Sequence, residues 1–334
     1  MPAGIGAGGA VNLMFEATVG TYLDPSTAGS LWCPIVEESL EYTEDKYISR
    51  QIRNQAVAVD AKSSYYHVEG DITVEVDPNT FPYWMHGSRH TVAKTGAGPF
   101  TYTYTPNSGG STTTAASGNV RRTLSITVIR NGIGFGYAGC TVSRIEPTIE
   151  DGVLRCTFGI VGVSEVTPAA LGTQAWVDPL LYGGECHSVF VAAAAVTPTW
   201  GSAVTDFNGY TLTIDHNAEA QARIRPDRSA SFVKFGETEI TYDTELDFVS
   251  KTEYDNFKAT TFRAVKLSSL HGTPDLTGAT DGVEFEVNRS AYESYGVDLG
   301  SMPDLVSASV TGRGVGIAGG DAYKIKVKSA AAIV

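Results

Sequence analysis

Twice in this chain acidic and apolar residues alternate with a period of two, and that period constrains the fold more than any other feature. From Glu69 to Asp77 the sequence reads E-G-D-I-T-V-E-V-D, with Glu69, Asp71, Glu75 and Asp77 at odd positions and Ile72, Val74 and Val76 at even ones. The stretch F-G-E-T-E-I-T-Y-D-T-E-L-D-F repeats the arrangement, setting Glu237, Glu239, Asp243, Glu245 and Asp247 against Ile240, Tyr242, Leu246 and Phe248. Successive strand side chains point to opposite faces, so each segment predicts a strand with one carboxylate-rich face and one apolar face. Such a row can be the solvated side of a half-exposed antiparallel sheet. Like charges along one face also repel each other modestly, and a cost accepted in both halves of the chain suggests a face that is used.

Short runs of Thr, Val and Tyr recur between turn signals, which predicts a mainly β fold. The opening M-P-A-G-I-G-A-G-G-A has too little apolar surface to order by itself and reads as an arm, with residues 1–33 as arm and lead-in. Residues 34–166 form a first unit. It begins with a two-signed hairpin or arm over 34–66 and includes a short helix at F-P-Y-W-M-H-G and a hairpin turning at Asp151-Gly152. The Pro, Ala and Gly-rich stretch 167–202 reads as a linker, and residues 203–334 as a second unit. In that unit Ser250 and Glu253 have the spacing of a capping box that would open another short helix. Aligning Gly70 with Gly236 superposes Asp71 on Glu237 and Asp77 on Asp243 without a gap, as a duplicated domain would.

The formal charge of -13 is shared between the halves, and it argues against a protein that grips nucleic acid, since affinity for phosphates comes from Lys and Arg. The first basic residue is Lys46, so no charged region precedes an apolar stretch as in a secretory signal. The longest apolar run, Val189 to Val196, is too short to span a bilayer as a helix. These features predict a soluble protein made in a cytoplasm. Cys33, Cys140, Cys156 and Cys186 form no C-x-x-C pair and have no His at zinc spacing, and free buried thiols are expected, with Cys140 opposite a residue near 163.

Two G-x-G-x-x-G matches, near Gly4 and at Gly314 to Gly319, lack the strand-to-helix setting of a dinucleotide site and read as loops. His86 and His90 are four apart but have no third ligand, so no metal or other cofactor is expected. Paired carboxylates could serve a glycosidase, yet these repeat along strands instead of converging on a pocket, and no nucleophile motif is present, so no enzyme is expected. A β-sandwich module binding carbohydrate or a receptor on a phage or cell surface is the alternative. It requires Trp84, Trp176 and Trp200 to be exposed around one groove.

Several blocks, in their order and spacing, resemble the major tail tube proteins of long-tailed phages. They are E-E-S-L at Glu37, G-D-I-T-V-E-V-D-P at Gly70, P-F-T-Y-T-Y-T-P at Pro99, Y-A-G-C-T-V-S-R-I at Tyr137 and G-V-L-R-C-T-F-G-I-V-G at Gly152. The resemblance implies tandem tail-tube-type β-sandwich or barrel domains, each with a short flanking helix, joining into a ring-wide β-barrel. It implies a structural virion protein of the tail, assembled in the host bacterial cytoplasm, whose stacked rings form the conduit for DNA ejection. Its partners would be further copies of itself and tail proteins such as the tape measure and the tail terminator, with transient, non-adhesive passage of DNA and no membrane. A duplicated domain implies trimeric rings of pseudo-sixfold symmetry; a decorating second half would imply hexamers. On this reading the nine acids of the two rows line the lumen. Candidates for contact between rings are Pro2, Ile5, Val11, Glu41, Tyr47, Arg50 and Arg53.

Overall fold

The computed structural model describes residues 9–49, 60–107, 123–176, 178–205, 207–224, 226–272, 276–298, 306–331 and 333. The protein is mainly β, with large antiparallel sheets and, among the described residues, two short α-helices, α1 (Phe81–His86) and α2 (Thr252–Lys258). Both expected strands form, as Ala61–Glu75 and Glu239–Asp247. Their even-numbered residues point into the core, where Ile72 and Val76 are fully buried and Ile240 and Tyr242 nearly so. Asp151 and Gly152 both take positive φ, 51° and 75°, the two-residue turn that suits the right-handed twist of a hairpin. Val153 accordingly pairs with Glu150.

The same succession of pairings occurs in both halves. In the N-terminal half Ala10–Phe15 pairs with Leu124–Arg130, which pairs with the long strand Ile133–Glu150, then Val153–Gly162, then Ala61–Glu75, then the hairpin partner Glu41–Ile48. In the C-terminal half the order is His187–Ala193, Arg263–Leu270, the long strand Gly282–Asp298, Ser307–Gly314, Glu239–Asp247 and Phe207–Asp215. Register shifts fall at matching places. The first lies between Leu124 and Ile126 or Arg263 and Val265, and the second opposite Val142 and Arg144 or between Tyr292 and Ser294. Bringing these bulges into coincidence superposes Asp71 on Asp243 and Glu75 on Asp247, so the alignment through Gly70 and Gly236 has the right face but lies several residues out of register. A period of two fixes the face of a strand; only the bulges fix the slide along it.

The stretch 167–202 is not all linker. It contains the strand His187–Ala193, whose V-F-V core pairs along Arg263–Leu270. The helices differ. α1 buries Phe81, Pro82, Trp84 and Met85, with Trp84 stacked on Phe158 at 5.1 Å, whereas α2 has no buried residue. The capping box at α2 does not form. Ser250 Oγ accepts the Thr252 N–H at 3.4 Å, but Glu253 is taken by Arg263 at 2.8 and 3.0 Å and by the Tyr292 hydroxyl at 2.7 Å. All four cysteines are free and buried. A one-residue slip at the bulge brings Cys140 against Gly162, one residue short of the expected position.

Two seams hold the halves together. Phe207–Asp215 pairs with the long strand of the N-terminal half, with Thr211 opposite Thr148, Ile214 opposite Ile145 and Asp215 opposite Arg144. On the other side Phe100–Pro106 pairs with Tyr323–Ser329. Phe285, fully buried, meets Phe81 of α1 edge-on at 6.0 Å.

Candidate functional site

The first seam makes one continuous sheet from strands of both halves. Its order is Glu41–Ile48, Ala61–Glu75, Val153–Gly162, Ile133–Glu150, Phe207–Asp215, Glu239–Asp247, Ser307–Gly314 and Gly282–Asp298. One face of this sheet is polar along its whole width because residues directly opposite each other share a face. Asp71, Gly159, Arg144, Asp215 and Glu239 form one such row across the seam, and Glu75, Arg155, Thr148, Thr211 and Asp243 form another.

Most acids of the sequence pattern stand on this surface. Glu69, Glu239, Asp243 and Glu245 are exposed, Asp71, Glu75 and Asp247 are half-buried, and Glu237, also exposed, precedes the strand, which begins at Glu239. Asp77 does not belong to the row. The strand ends at Glu75, and at Asp77 the chain turns toward α1, leaving that carboxyl 1% exposed, with Oδ1 accepting the N–H groups of Asn79 at 3.2 Å and Leu180 at 3.4 Å. Burial pushes its pKa up despite these bonds.

Neighbouring strands partly neutralise the face. Arg144 donates to both oxygens of Asp71 at 3.1 Å and lies 3.5 Å from Glu146; Arg155 pairs with Glu150 and more distantly with Glu75; Arg313 reaches Glu239 at 3.2 Å and Glu293 at 3.6 Å. Half-exposed pairs of this kind contribute about 0–1 kcal/mol each. They lock side-chain positions more than they stabilise the fold, and the acids outnumber them. The sequence reading missed these arginines and Glu146, Glu150 and Asp215. The signal was present in S-R-I-E-P-T-I-E, where Arg144, Glu146, Thr148 and Glu150 alternate with Ile145, Pro147 and Ile149.

The sheet ends in two edges that, among the described residues, have no further strand beside them. Glu41–Ile48 pairs only with Ala61–Glu75, and the C-terminal part of Gly282–Asp298 only with Ser307–Gly314. Tyr47 and Ile48 on one edge and Val297 on the other are exposed. Unpaired apolar edges are a hazard in a monomer and an assembly surface in an oligomer. Of the residues expected at contacts between rings, Glu41 and Tyr47 are exposed on the first edge. Val11 is instead fully buried, because the strand Ala10–Phe15 is part of the core, and Pro2, Ile5, Arg50 and Arg53 lie outside the described residues.

A carbohydrate-binding groove of tryptophans does not assemble. Trp84 is fully buried, Trp176 stands against Trp32, and Trp200 faces Lys266. His86 and His90 are engaged with protein groups, His86 with the Pro82 carbonyl and the Tyr104 hydroxyl, His90 with Ser88 and Tyr323.

A broad polar sheet face, bounded among the described residues by unpaired and partly apolar strand edges, is the surface of a β-sheet structural protein. The family model described as phage tail tube protein matches residues 6–314, and the chain belongs to that family. A search of curated proteins finds no match. Membership places the protein in the virion tail as a structural component of the tube, assembling with further copies and other tail proteins.

Proposed function

We propose that three copies of this chain close into a ring whose polar sheet faces line the bore, that rings stack into a tube, and that the acidic lining keeps DNA off the wall during ejection. The reading rests chiefly on the internal seam. The two halves, with matching pairing orders and bulges, already meet edge to edge, which is what domain duplication inside a pseudo-sixfold ring requires. The matching bulges also give the contact between copies. Arg144 corresponds to Ser294 and Asp215 to Thr43, so Ser294 faces Thr43 of the next copy and Tyr295 faces Tyr42, repeating Asp215 opposite Arg144 and Ile214 opposite Ile145.

Size favours three copies. Eight strands per copy, about 4.8 Å apart and tilted by about 40°, close at a backbone diameter of about 50 Å for a trimer and about 100 Å for a hexamer. Electrostatic repulsion extends about 10 Å at 0.1 M salt, so only the narrower bore brings carboxylates within range of a duplex along its axis. DNA carries about one charge per 1.7 Å of axis, and Glu69, Asp71, Glu75, Glu237, Glu239, Asp243, Glu245 and Asp247 supply the opposing field. On this pairing Glu41 is taken up within the ring, and contacts between rings fall to Tyr47, farther along the hairpin edge, together with the N-terminal arm. The tape measure inside the tube and the terminator at its end are the expected tail partners, met during assembly in the host cytoplasm.

The test replaces Glu69, Asp243 and Glu245 by Lys together. Electron microscopy is expected to find tubes of normal diameter, and DNA ejection to be slowed. Unchanged ejection kinetics would sink the lining role, and rings of another subunit number would sink the closure.

A further inference from the structure

A cavity of about 190 Å³ opens beneath α2, lined mainly by apolar side chains such as Tyr242, Leu246, Val249, Val265, Tyr292 and Val310, with Asp247, Ser250 and Glu253 among its polar groups. The equivalent space beneath α1 holds aromatic side chains. Continuing the strand correspondence into the helices places Phe81 where Glu253 stands and Trp84 where Asn256 stands, and the bulges place Phe158 where Val310 stands. In the N-terminal half these three rings pack on one another, and Phe285 from the C-terminal half closes the packing edge-on against Phe81. Beneath α2 the positions equivalent to these three rings hold Glu253, Asn256 and Val310, Glu253 is turned to Arg263 and Tyr292, and Val249 at the rim is 71% exposed.

The counterpart of Phe285 is Phe135. Phe135 lies opposite Val128 as Phe285 lies opposite Leu267, at the same distance along the long strand from the bulge. Phe285 is fully buried against the other half, while Phe135 is half-buried beneath the Arg130 guanidinium, with Ile133 beside it 61% exposed. One end of the molecule therefore has an apolar socket without its ring, and the other has the ring without its socket. An apolar cavity of about 150 Å³ can hold a benzene ring, so the volume suffices for a phenylalanine.

We propose that the groove beneath α2 is a docking site for a second copy of this chain, whose Phe135 enters it as Phe285 closes over α1. The inference deepens the ring reading and rests on it. Continuity with the internal seam fixes the occupant: once Gly282–Asp298 pairs with Glu41–Ile48 of the next copy, the long strand of that copy overhangs α2 as Gly282–Asp298 overhangs α1. Only the second copy's N-terminal half is placed to do so.

The experiment measures the ring dissociation constant by sedimentation velocity for the full chain, for Phe135→Ala, for Val310→Phe, which fills the socket from within, and for the double variant. Each single change is expected to weaken ring formation about tenfold or more. The double variant is expected to be no worse than the weaker single one, the non-additivity of two residues in contact. Urea unfolding of each isolated subunit verifies folding, and Val310→Phe probes the same contact from the other side should Phe135→Ala fold poorly. A Thr43→Cys, Ser294→Cys pair, facing each other at a separation suited to a disulfide, reports ring closure separately. Rings that crosslink while neither single change alters affinity, or while the two effects add, overturn this contact alone. No crosslinking and no ring overturns both proposals.

Discussion

Replacing Phe285 with Ala tests the seam that supports the functional reading. The side chain is fully buried, its strand lies between Leu267 and Ile325, and its ring meets Phe81 of α1 from across the two halves at 6.0 Å. Truncating a buried Phe to Ala costs about 3–5 kcal/mol, from lost transfer energy and the cavity left behind. An unfolding entropy of about 2.1 cal/mol/K per residue gives roughly 0.7 kcal/mol/K for a chain of this length, so the melting temperature is expected to fall by about 4–7 °C. The matching change at Phe135, half-buried in the single chain, is expected to cost the isolated subunit less than half as much. Differential scanning calorimetry and urea titration of both variants provide the comparison. A loss below about 1 kcal/mol for Phe285→Ala, or equal losses for the two, would refute the idea that Phe285 is packed against a neighbour that Phe135 lacks.

Two further predictions concern buried polar groups. Lys266, 6% exposed, donates to Glu284 at 3.1 Å and lies over the rings of Phe190 and Trp200, while Lys326 spans Glu284 and Glu286. Lys266→Met removes one cation from two buried carboxylates and is expected to cost about 3–5 kcal/mol. Adding Glu284→Gln is expected to recover part of it, and thermal unfolding that finds the single change neutral contradicts the account. His90 is fully enclosed beside Tyr323, and its burial, with the nearby His216 and His86, holds its pKa well below 6.5. As pH falls through about 6.5 the unfolded chain takes up a proton that the folded His90 refuses. The contribution to stability is therefore complete above that pH and declines below it, by up to about 1.4 kcal/mol per pH unit. The urea midpoint is expected to drop between pH 7.5 and 5 in the natural protein and to drop less in His90→Gln; equal slopes would rule out His90 as the group responsible.

The sequence by itself determined the face of each strand. Acids at every second position beside Ile72, Val74, Ile240 and Tyr242 allow one arrangement on a pleated surface, apolar residues inward and carboxylates outward, and Asp151-Gly152 marks its hairpin because both residues must take positive φ. Blocks such as Y-A-G-C-T-V-S-R-I, with the order of their neighbours, carried the family. Tertiary structure decided everything that depends on where strands stop and slide. Asp77 has the right parity, yet it is buried because the strand ends two residues earlier, and Val11 belongs to the core because its strand is paired on both sides. Asp71 corresponds to Asp243 and not Glu237, because bulges, which leave little mark on local sequence, set the register. Phe135 and Phe285 each stand three residues after a glycine, with nothing local to separate them, and only the pairing of the two halves buries Phe285 fully and leaves Phe135 half-buried. Periodicity is a property of neighbouring residues, whereas register and edge pairing are settled by contacts between separate segments, such as Thr148 with Thr211 and Asp71 with Gly159.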